Sequence, residues 1–184
     1  FYRQQRHVLN VGGAGTNRVH GVDERLLRLQ ALVLLDLDGL DRTNDIYGPA
    51  TKDNVVHMLN AMRGAPPDPT IHQMTDKDNL FIFTTNHGGK DPAPTGNVRL
   101  WLWGDGEFIW DYEFANDLKT PPGKPVPRSI TMTMEQCYSG GFVDDFMNNP
   151  PAGQTRVIST AASATQPSYG NDFSFYWIDG IMGP

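Results

Sequence analysis

Two short motifs in this chain of 184 residues contain side chains that could cleave an amide bond. His87 lies in Thr-Thr-Asn-His-Gly-Gly, and Cys137 lies in Glu-Gln-Cys-Tyr-Ser-Gly-Gly, 50 residues further on (137 − 87 = 50). A thiolate attacks a carbonyl carbon, and the departing amine needs a proton donor, a role that suits the pKa of histidine near neutral pH. Nearby glycines allow close approach of the backbone, whose N–H groups can hold an oxyanion. The motifs therefore predict catalysis by Cys137 and His87, with the N–H groups of Gly88 and Cys137 binding the oxyanion.

Each of these residues alone has a simpler interpretation. A lone cysteine is most often a small apolar core residue, and a lone histidine is usually structural. The pair is more specific, because each residue follows an apolar segment that indicates a buried strand, and glycine follows within three residues. The other histidines lie in a helical pattern or in polar stretches: His7, His20, His57 and His72. A catalytically silent binding module is the alternative from a different class.

The elements that would position the pair follow from hydrophobic patterning. Short apolar or β-branched runs bounded by turn signals predict strands at 31–37, 79–85, 129–135 and 156–161. Helical spacing predicts helices at 50–63, 111–118, 142–147 and 172–182, and four prolines make 119–128 a stiff surface loop. Alternating strands and helices predict a three-layer α/β/α sandwich with a mostly parallel sheet. Reactive groups gather at the carboxyl ends of such strands, where both His87 and Cys137 fall.

A hairpin is predicted at 97–110, around Gly-Asp-Gly at 104–106. It contains Trp101, Trp103 and Trp110, which could form a platform for a carbohydrate or a peptide. Such residues more often pack a hairpin onto the body of a domain, and we adopt that interpretation.

Composition excludes several other classes of protein. The net charge of −6 argues against a nucleic-acid partner, and no apolar run approaches the roughly 18–20 residues that a membrane span requires. One cysteine can form neither an internal disulfide nor a multi-cysteine zinc site. We expect a single peptidase domain over 1–184, a fragment of a longer chain because no start methionine is present, and a secreted or periplasmic location.

At these motifs the chain resembles the caspase-fold (clan CD) cysteine peptidases, and within them the legumain, or asparaginyl endopeptidase, group. NLFIFTTNHGG matches the hydrophobic strand that ends in His-Gly, and MEQCYSGGF matches the strand that ends in Glu-x-Cys-x-Ser-Gly. VISTAASATQPSYG resembles the legumain segment that forms one wall of the S1 pocket, which holds the residue before the cleaved bond (P1). YGPATKDN is similar to a helix start in bacterial relatives, so the resemblance covers most of 46–177.

The resemblance implies a caspase-like fold and a cysteine endopeptidase that acts through a thioester acyl-enzyme. His87 and Cys137 would be the catalytic dyad, and cleavage would follow Asn or Asp in a peptide or protein substrate, with no cofactor. The substrate-binding residues it implies are Glu135, Asp172, Arg3, Ser159, Thr160 and Ala161. From the residues alone, Glu135 and Asp172 could equally be a strand-end carboxylate and a helix N-cap.

Two other activities remain open, the first in the same group and the second in relatives of the wider clan. In a transamidase or peptide ligase, an amine replaces water in attacking the acyl-enzyme. An acidic pocket without Arg3 would instead favour Arg or Lys at P1, because opposite charge decides specificity in a desolvated pocket.

An acidic segment, DLDGLDRTND, contains Asp36, Asp38, Asp41 and Asp45. It is a candidate for structural Ca²⁺, but Gly39 is at the fourth position of the segment and not at the sixth, so the EF-hand pattern fails. We prefer a solvated acidic loop.

Overall fold

The computed structural model describes residues 6–12, 31–36, 46–169 and 172–182, the first two segments by their backbone alone. The predicted residues Arg3, Asp38, Asp41 and Asp45 lie outside the described residues, as does the side chain of Asp36. No helix in these ranges is long and apolar enough to cross a membrane.

Strands and helices alternate along the described chain. The strands are β1 (Arg6–Gly12), β2 (Ala31–Asp36), β3 (Ile46–Pro49), β4 (Asn79–Thr85), β5 (Gly88–Lys90), β6 (Val98–Trp101), β7 (Phe108–Trp110), β8 (Ser129–Met134) and β9 (Thr155–Thr160). The helices are α1 (Lys52–Met62), α2 (Asp111–Asp117), α3 (Phe142–Met147) and α4 (Asp172–Met182).

The main sheet has the strand order β3-β2-β1-β4-β8-β9. Strands β1, β4, β8 and β9 run parallel to one another. At one side of the sheet, β2 pairs antiparallel with β1, and β3 pairs antiparallel with β2. A second, small antiparallel sheet contains β5, β6 and β7. The predicted mostly parallel α/β sheet is confirmed.

Helices cover both faces of the main sheet. Leu80 and Ile82 of β4 are buried in one apolar cluster with residues of α1, α2 and α3. Because side chains alternate along a strand, Phe81 and Phe83 face the other way. There the ring of Trp177 from α4 stacks on Phe81 with a centroid distance of 5.3 Å and lies 6.5 Å from Phe83. The sandwich therefore has three layers.

The predicted strand 79–85 and the predicted helices 142–147 and 172–182 match β4, α3 and α4, and the other predicted elements differ from the observed ones by one or two residues at one or both ends. Strands β1, β3 and β5 were not predicted. Arg6, His7 and Asn10 interrupt the apolar pattern of β1, β3 ends in Gly48-Pro49, and β5 is Gly-Gly-Lys. These strands form because a neighbouring strand pairs with them, which local propensity cannot reveal.

Candidate active site

The pairing of β4 with β8 brings the two motifs together. Partners in this parallel ladder run from Asn79↔Ser129 to Thr84↔Met134, so each pair differs by 50 in number (134 − 84 = 50). His87 and Cys137 also differ by 50, so each lies three residues past the last pair of the ladder, in loops that leave the same edge of the sheet. Neighbouring strands lie about 4.8 Å apart. The spacing of 50 residues between the two motifs therefore equals the difference in number between paired residues of β4 and β8.

Two hydrogen bonds continue this pairing beyond the last ladder residues. The N–H of Glu135 donates to the carbonyl of Thr84 at 2.9 Å. The hydroxyl of Thr84 donates to Oε1 of Gln136 at 2.8 Å, and both side chains are buried. These bonds hold the loop that contains His87 against the loop that contains Cys137 where both leave the sheet.

Gly88 lies directly against Cys137. A Cβ atom added at Gly88 would lie 1.8 Å from the carbonyl oxygen of Cys137 and 3.1 Å from its nitrogen. No side chain fits in that space, so the glycine after the histidine is required by the contact itself. The structure thus brings together the two residues whose N–H groups were predicted to bind an oxyanion. Within the described residues, the Cys137 N–H donates to no other group.

The thiol of Cys137 is partly exposed and lies against the backbone of Ser168. The Ser168 N–H donates to Sγ at 3.3 Å, and the thiol faces the carbonyl of Ser168 at 3.5 Å. Both contacts hold the sulfur against the backbone of the 161–168 segment. Sequence reasoning did not single out Ser168, because any residue offers an N–H.

His87 is exposed, and its backbone rather than its ring holds it in place. Its carbonyl accepts a hydrogen bond from the N–H of Trp101 in β6 at 3.0 Å, and the amide Nδ2 of Asn86 donates to the carbonyl of Trp101. The small sheet therefore positions the loop, while the imidazole stays accessible to a substrate.

The residue after the cysteine adopts a strained conformation. Tyr138 has φ of 59°, the left-handed region that costs a non-glycine residue about 1–2 kcal/mol. Its N–H donates to the carbonyl of Gln166 at 2.9 Å, which fixes this turn against the 161–168 segment. The turn directs the chain sharply away from β8 just after Cys137.

Ser139 and Gly140 fasten that same segment to the cysteine loop. The buried hydroxyl of Ser139 accepts from the N–H of Ala162 at 3.2 Å, and the Gly140 N–H donates to the Ala162 carbonyl at 2.8 Å. A Cβ at Gly140 would lie 2.7 Å from the nitrogen of Ala164 and 2.8 Å from the carbonyl oxygen of Ala162. The Ser-Gly of the cysteine motif is therefore needed to dock the 161–168 segment beside the thiol.

Glu135 is the buried carboxylate of the site. It is 6% exposed, and its Oε1 has no hydrogen-bond partner among the described residues. Such a group is costly in a protein interior unless a ligand or another side chain pairs with it.

The other predicted substrate-binding residues lie at the surface near β9 or beyond it. Ser159 and Thr160 end β9, Ala161 follows it, and all three are partly exposed. Asp172 begins α4 with an exposed side chain, and no hydrogen bond or ion pair joins it to Glu135 in the described part of the chain. The assigned roles of these residues, and of Arg3, stay predictions.

No group of three or more His, Cys, Asp or Glu side chains that could hold a metal ion occurs among the described residues. This finding does not cover the side chains of the acidic segment 36–45, so its Ca²⁺ role stays a prediction.

A known protein family matches most of the chain. The model of the Peptidase C13 family matches residues 50–178, which is 129 of the 184 residues (178 − 50 + 1 = 129) and includes both motifs. A search of curated proteins finds no match to the chain.

Proposed function

Since the chain belongs to the Peptidase C13 family, which is legumain-like, we propose that it is a cysteine endopeptidase with Cys137 as its nucleophile and His87 as its acid and base. The observation that supports this most directly is the contact of Gly88 with Cys137, which sets the histidine loop against the thiol loop in one register.

In the first step, His87 takes the thiol proton of Cys137. The thiolate attacks the substrate carbonyl, and the N–H groups of Gly88 and Cys137 bind the oxyanion. The intermediate collapses, the C–N bond breaks, and His87 gives its proton to the departing amine. Water then attacks the thioester, His87 takes a proton from it, and the acid product leaves as the Cys137 thiol is restored. No cofactor takes part in these steps.

For specificity, we propose Asn or Asp at P1, with Glu135, Asp172 and Arg3 in the pocket. The unpartnered Oε1 of Glu135 supports a P1 side chain that donates a hydrogen bond, which the amide of Asn does. A buried acceptor without a partner costs free energy that such a substrate would recover.

Reactivity of the single cysteine tests the proposal. An acyloxymethyl ketone probe with Asn at P1 should label the native chain much faster than the urea-unfolded chain, because only the folded site activates Cys137 and binds the probe. Cys137→Ala should lower peptide cleavage by on the order of 10⁴-fold or more and leave the far-UV spectrum unchanged. Full activity of Cys137→Ala, or equal labelling of native and unfolded chains, would contradict the proposed nucleophile.

A library of fluorogenic peptides that vary only at P1 tests the pocket. Preference for Asn or Asp supports the predicted pocket, whereas preference for Arg or Lys removes Arg3 from it. Adding a peptide amine to the same reactions and looking for ligated product by mass spectrometry separates hydrolysis from transamidation.

A further inference from the structure

An open groove of about 660 Å³ lies beside His87. It is lined by Asn86, His87 and residues 101–106, the end of β6 and the turn that follows. Cys137 and Gly88 do not line it, so the groove is distinct from the thiol side of the site. Its volume falls within the range of roughly 300–1,000 Å³ that is typical of ligand pockets.

The wall of this groove is held in a fixed shape. The N–H of Trp103 donates to the carbonyl of Ala50 at 2.9 Å, which ties the turn to the start of α1. The N–H of Leu102 donates to the carbonyl of Glu107 at 3.0 Å, and the Leu102 side chain is buried. The groove is therefore formed before any ligand binds.

Trp103 differs from the other aromatic residues of the small sheet. The guanidinium of Arg99 lies over the rings of Trp101 at 4.5 Å, Phe108 at 4.8 Å and Trp110 at 5.5 Å, so these rings pack among themselves. Trp103 is 41% exposed and has no ring or cation contact within the described residues. Our sequence interpretation that all three tryptophans pack the hairpin fits Trp101 and Trp110 but not Trp103.

We propose that this groove binds a large apolar or aromatic side chain on the leaving-group side of the substrate, at one of the first two residues after the cleaved bond. This inference rests on the proposed function. A group that protonates the departing amine must come within about 2.6–3.2 Å of it, so the residues attached to that amine must pass His87. His87 is the residue that the predicted dyad and the groove share, so the substrate chain leads from one into the other.

The chemistry of the wall selects the occupant. The exposed indole of Trp103 offers a large apolar surface, and covering it removes both partners from water. Asp105 also lines the groove, but it is exposed, where an ion pair with a basic residue gains little. The same screened carboxylate repels an acidic residue, but only weakly. Apolar side chains should therefore be preferred and acidic ones disfavoured.

The test uses internally quenched peptides that share one acyl-side sequence with Asn at P1. The first and second residues after the cleaved bond are varied in turn among Phe, Leu, Ala, Lys and Asp. We expect kcat/KM for Phe or Leu to exceed that for Asp by about 10- to 30-fold at one of the two positions. Trp103→Ala should reduce kcat/KM for the Phe peptide to nearly that for the Ala peptide.

Tyr112→Ala is the matched control, because Tyr112 is an aromatic residue of similar exposure (46%) that lies outside the groove. It should keep the Phe preference. Asp105→Asn, at an exposed position, should raise kcat/KM for the Asp peptide alone by about 2- to 5-fold, and it tests the groove even if Trp103→Ala folds poorly.

The outcomes separate this inference from the proposed function. Cleavage without preference at either position, preference for Lys, or an equal loss for all peptides in Trp103→Ala would overturn the inference and leave the peptidase intact. If no peptide is cleaved and the acyloxymethyl ketone probe labels native and unfolded chains equally, the proposed function fails and the inference fails with it.

Discussion

The two ends of strands β4 and β8 differ in how well their polar groups are satisfied. At the amino end, the carboxylate of Asp78 accepts from the N–H of Thr75 at 2.6 Å and from its hydroxyl at 2.9 Å, and it contacts Nε2 of His72 at 3.1 Å. The Ser129 hydroxyl donates to Oδ1 of Asn79 at 2.7 Å, across the first pair of the ladder. Each polar side chain named here has its partner.

At the carboxyl end the opposite holds. Asn86, Glu135 and Gln136 each keep one buried polar atom without a partner among the described residues: Oδ1, Oε1 and Nε2 respectively. The backbone there is also strained at Tyr138 and closely approached at Gly88. Unsatisfied polar groups and strain lower stability, and they persist where a ligand supplies the missing contacts.

The two ends of this pair of strands therefore differ in what they contribute. The amino end contributes to stability through completed hydrogen bonds, and the carboxyl end leaves buried polar atoms without a partner beside the proposed catalytic dyad. Substitutions at the two ends should therefore change different measurements.

Apart from Cys137→Ala, the largest effect is expected for Gly88→Ala. Its Cβ would overlap the carbonyl oxygen of Cys137, and backbone on both sides would have to move. Displacing the N–H groups that are proposed to bind the oxyanion should lower kcat by about 10³-fold, measured with the best fluorogenic peptide. Gly180→Ala in α4 is the control, because a Cβ there meets nothing within 4 Å. Equal activity of the two variants would show that the contact between the loops is dispensable.

The next largest effect is expected for Glu135→Gln. If the unpartnered carboxylate contacts the P1 side chain, its loss should lower kcat/KM by about 10- to 100-fold for Asn peptides, mainly through KM. The free energy of unfolding should not fall, because no protein hydrogen bond to Oε1 is lost. Glu113→Gln, which weakens the 2.9 Å ion pair with Lys52, is the matched control and should leave KM unchanged. A marked loss of stability without a KM effect would make Glu135 structural.

Particular residues show which features of the fold and the site the sequence predicts. The apolar runs of β4 and β8 fixed the positions of His87 and Cys137 at neighbouring strand ends, because both strands are buried and carry strong local signals. The contact of Ser168 with Sγ could not be predicted from the sequence, because it uses a backbone N–H from 31 residues away. The exposure of Trp103 could not be separated from the packing of Trp101 by composition or spacing. Both depend on tertiary contacts that a local pattern does not encode.

At the amino end, Asp78→Ala should lower stability and spare chemistry. The substitution removes the acceptor for the N–H and hydroxyl of Thr75, which closes the turn before β4. We expect the free energy of unfolding to fall by about 1–3 kcal/mol in urea titrations, with the rate of probe labelling of the native chain unchanged. Asp76→Ala, at an exposed neighbouring carboxylate, should change neither measurement. Slower labelling in Asp78→Ala would show that the two ends of the strands are coupled.

The smallest effect is the dependence of stability on pH that Asp78 contributes. Burial alone would raise the pKa of Asp78, but hydrogen bonds from Thr75 and His72 outweigh it and hold the pKa below its ordinary value. A carboxyl group with a lowered folded-state pKa binds protons more weakly in the folded than in the unfolded chain. Its contribution is therefore complete above the unfolded pKa, near 4, and is lost as the pH falls through the folded value.

Urea titrations of Cys137→Ala, used so that no self-cleavage intervenes, should show stability falling from about pH 5 to pH 3. The fall should be shallower in the double variant Cys137→Ala/Asp78→Ala, because the group that titrates is gone. The variant Cys137→Ala/Asp76→Ala should retain the full slope, since Asp76 is exposed. Equal slopes in all three chains would mean that the hydrogen bonds at the amino end do not depend on the charge of Asp78. That result would reduce the contrast between the two strand ends to one of geometry alone.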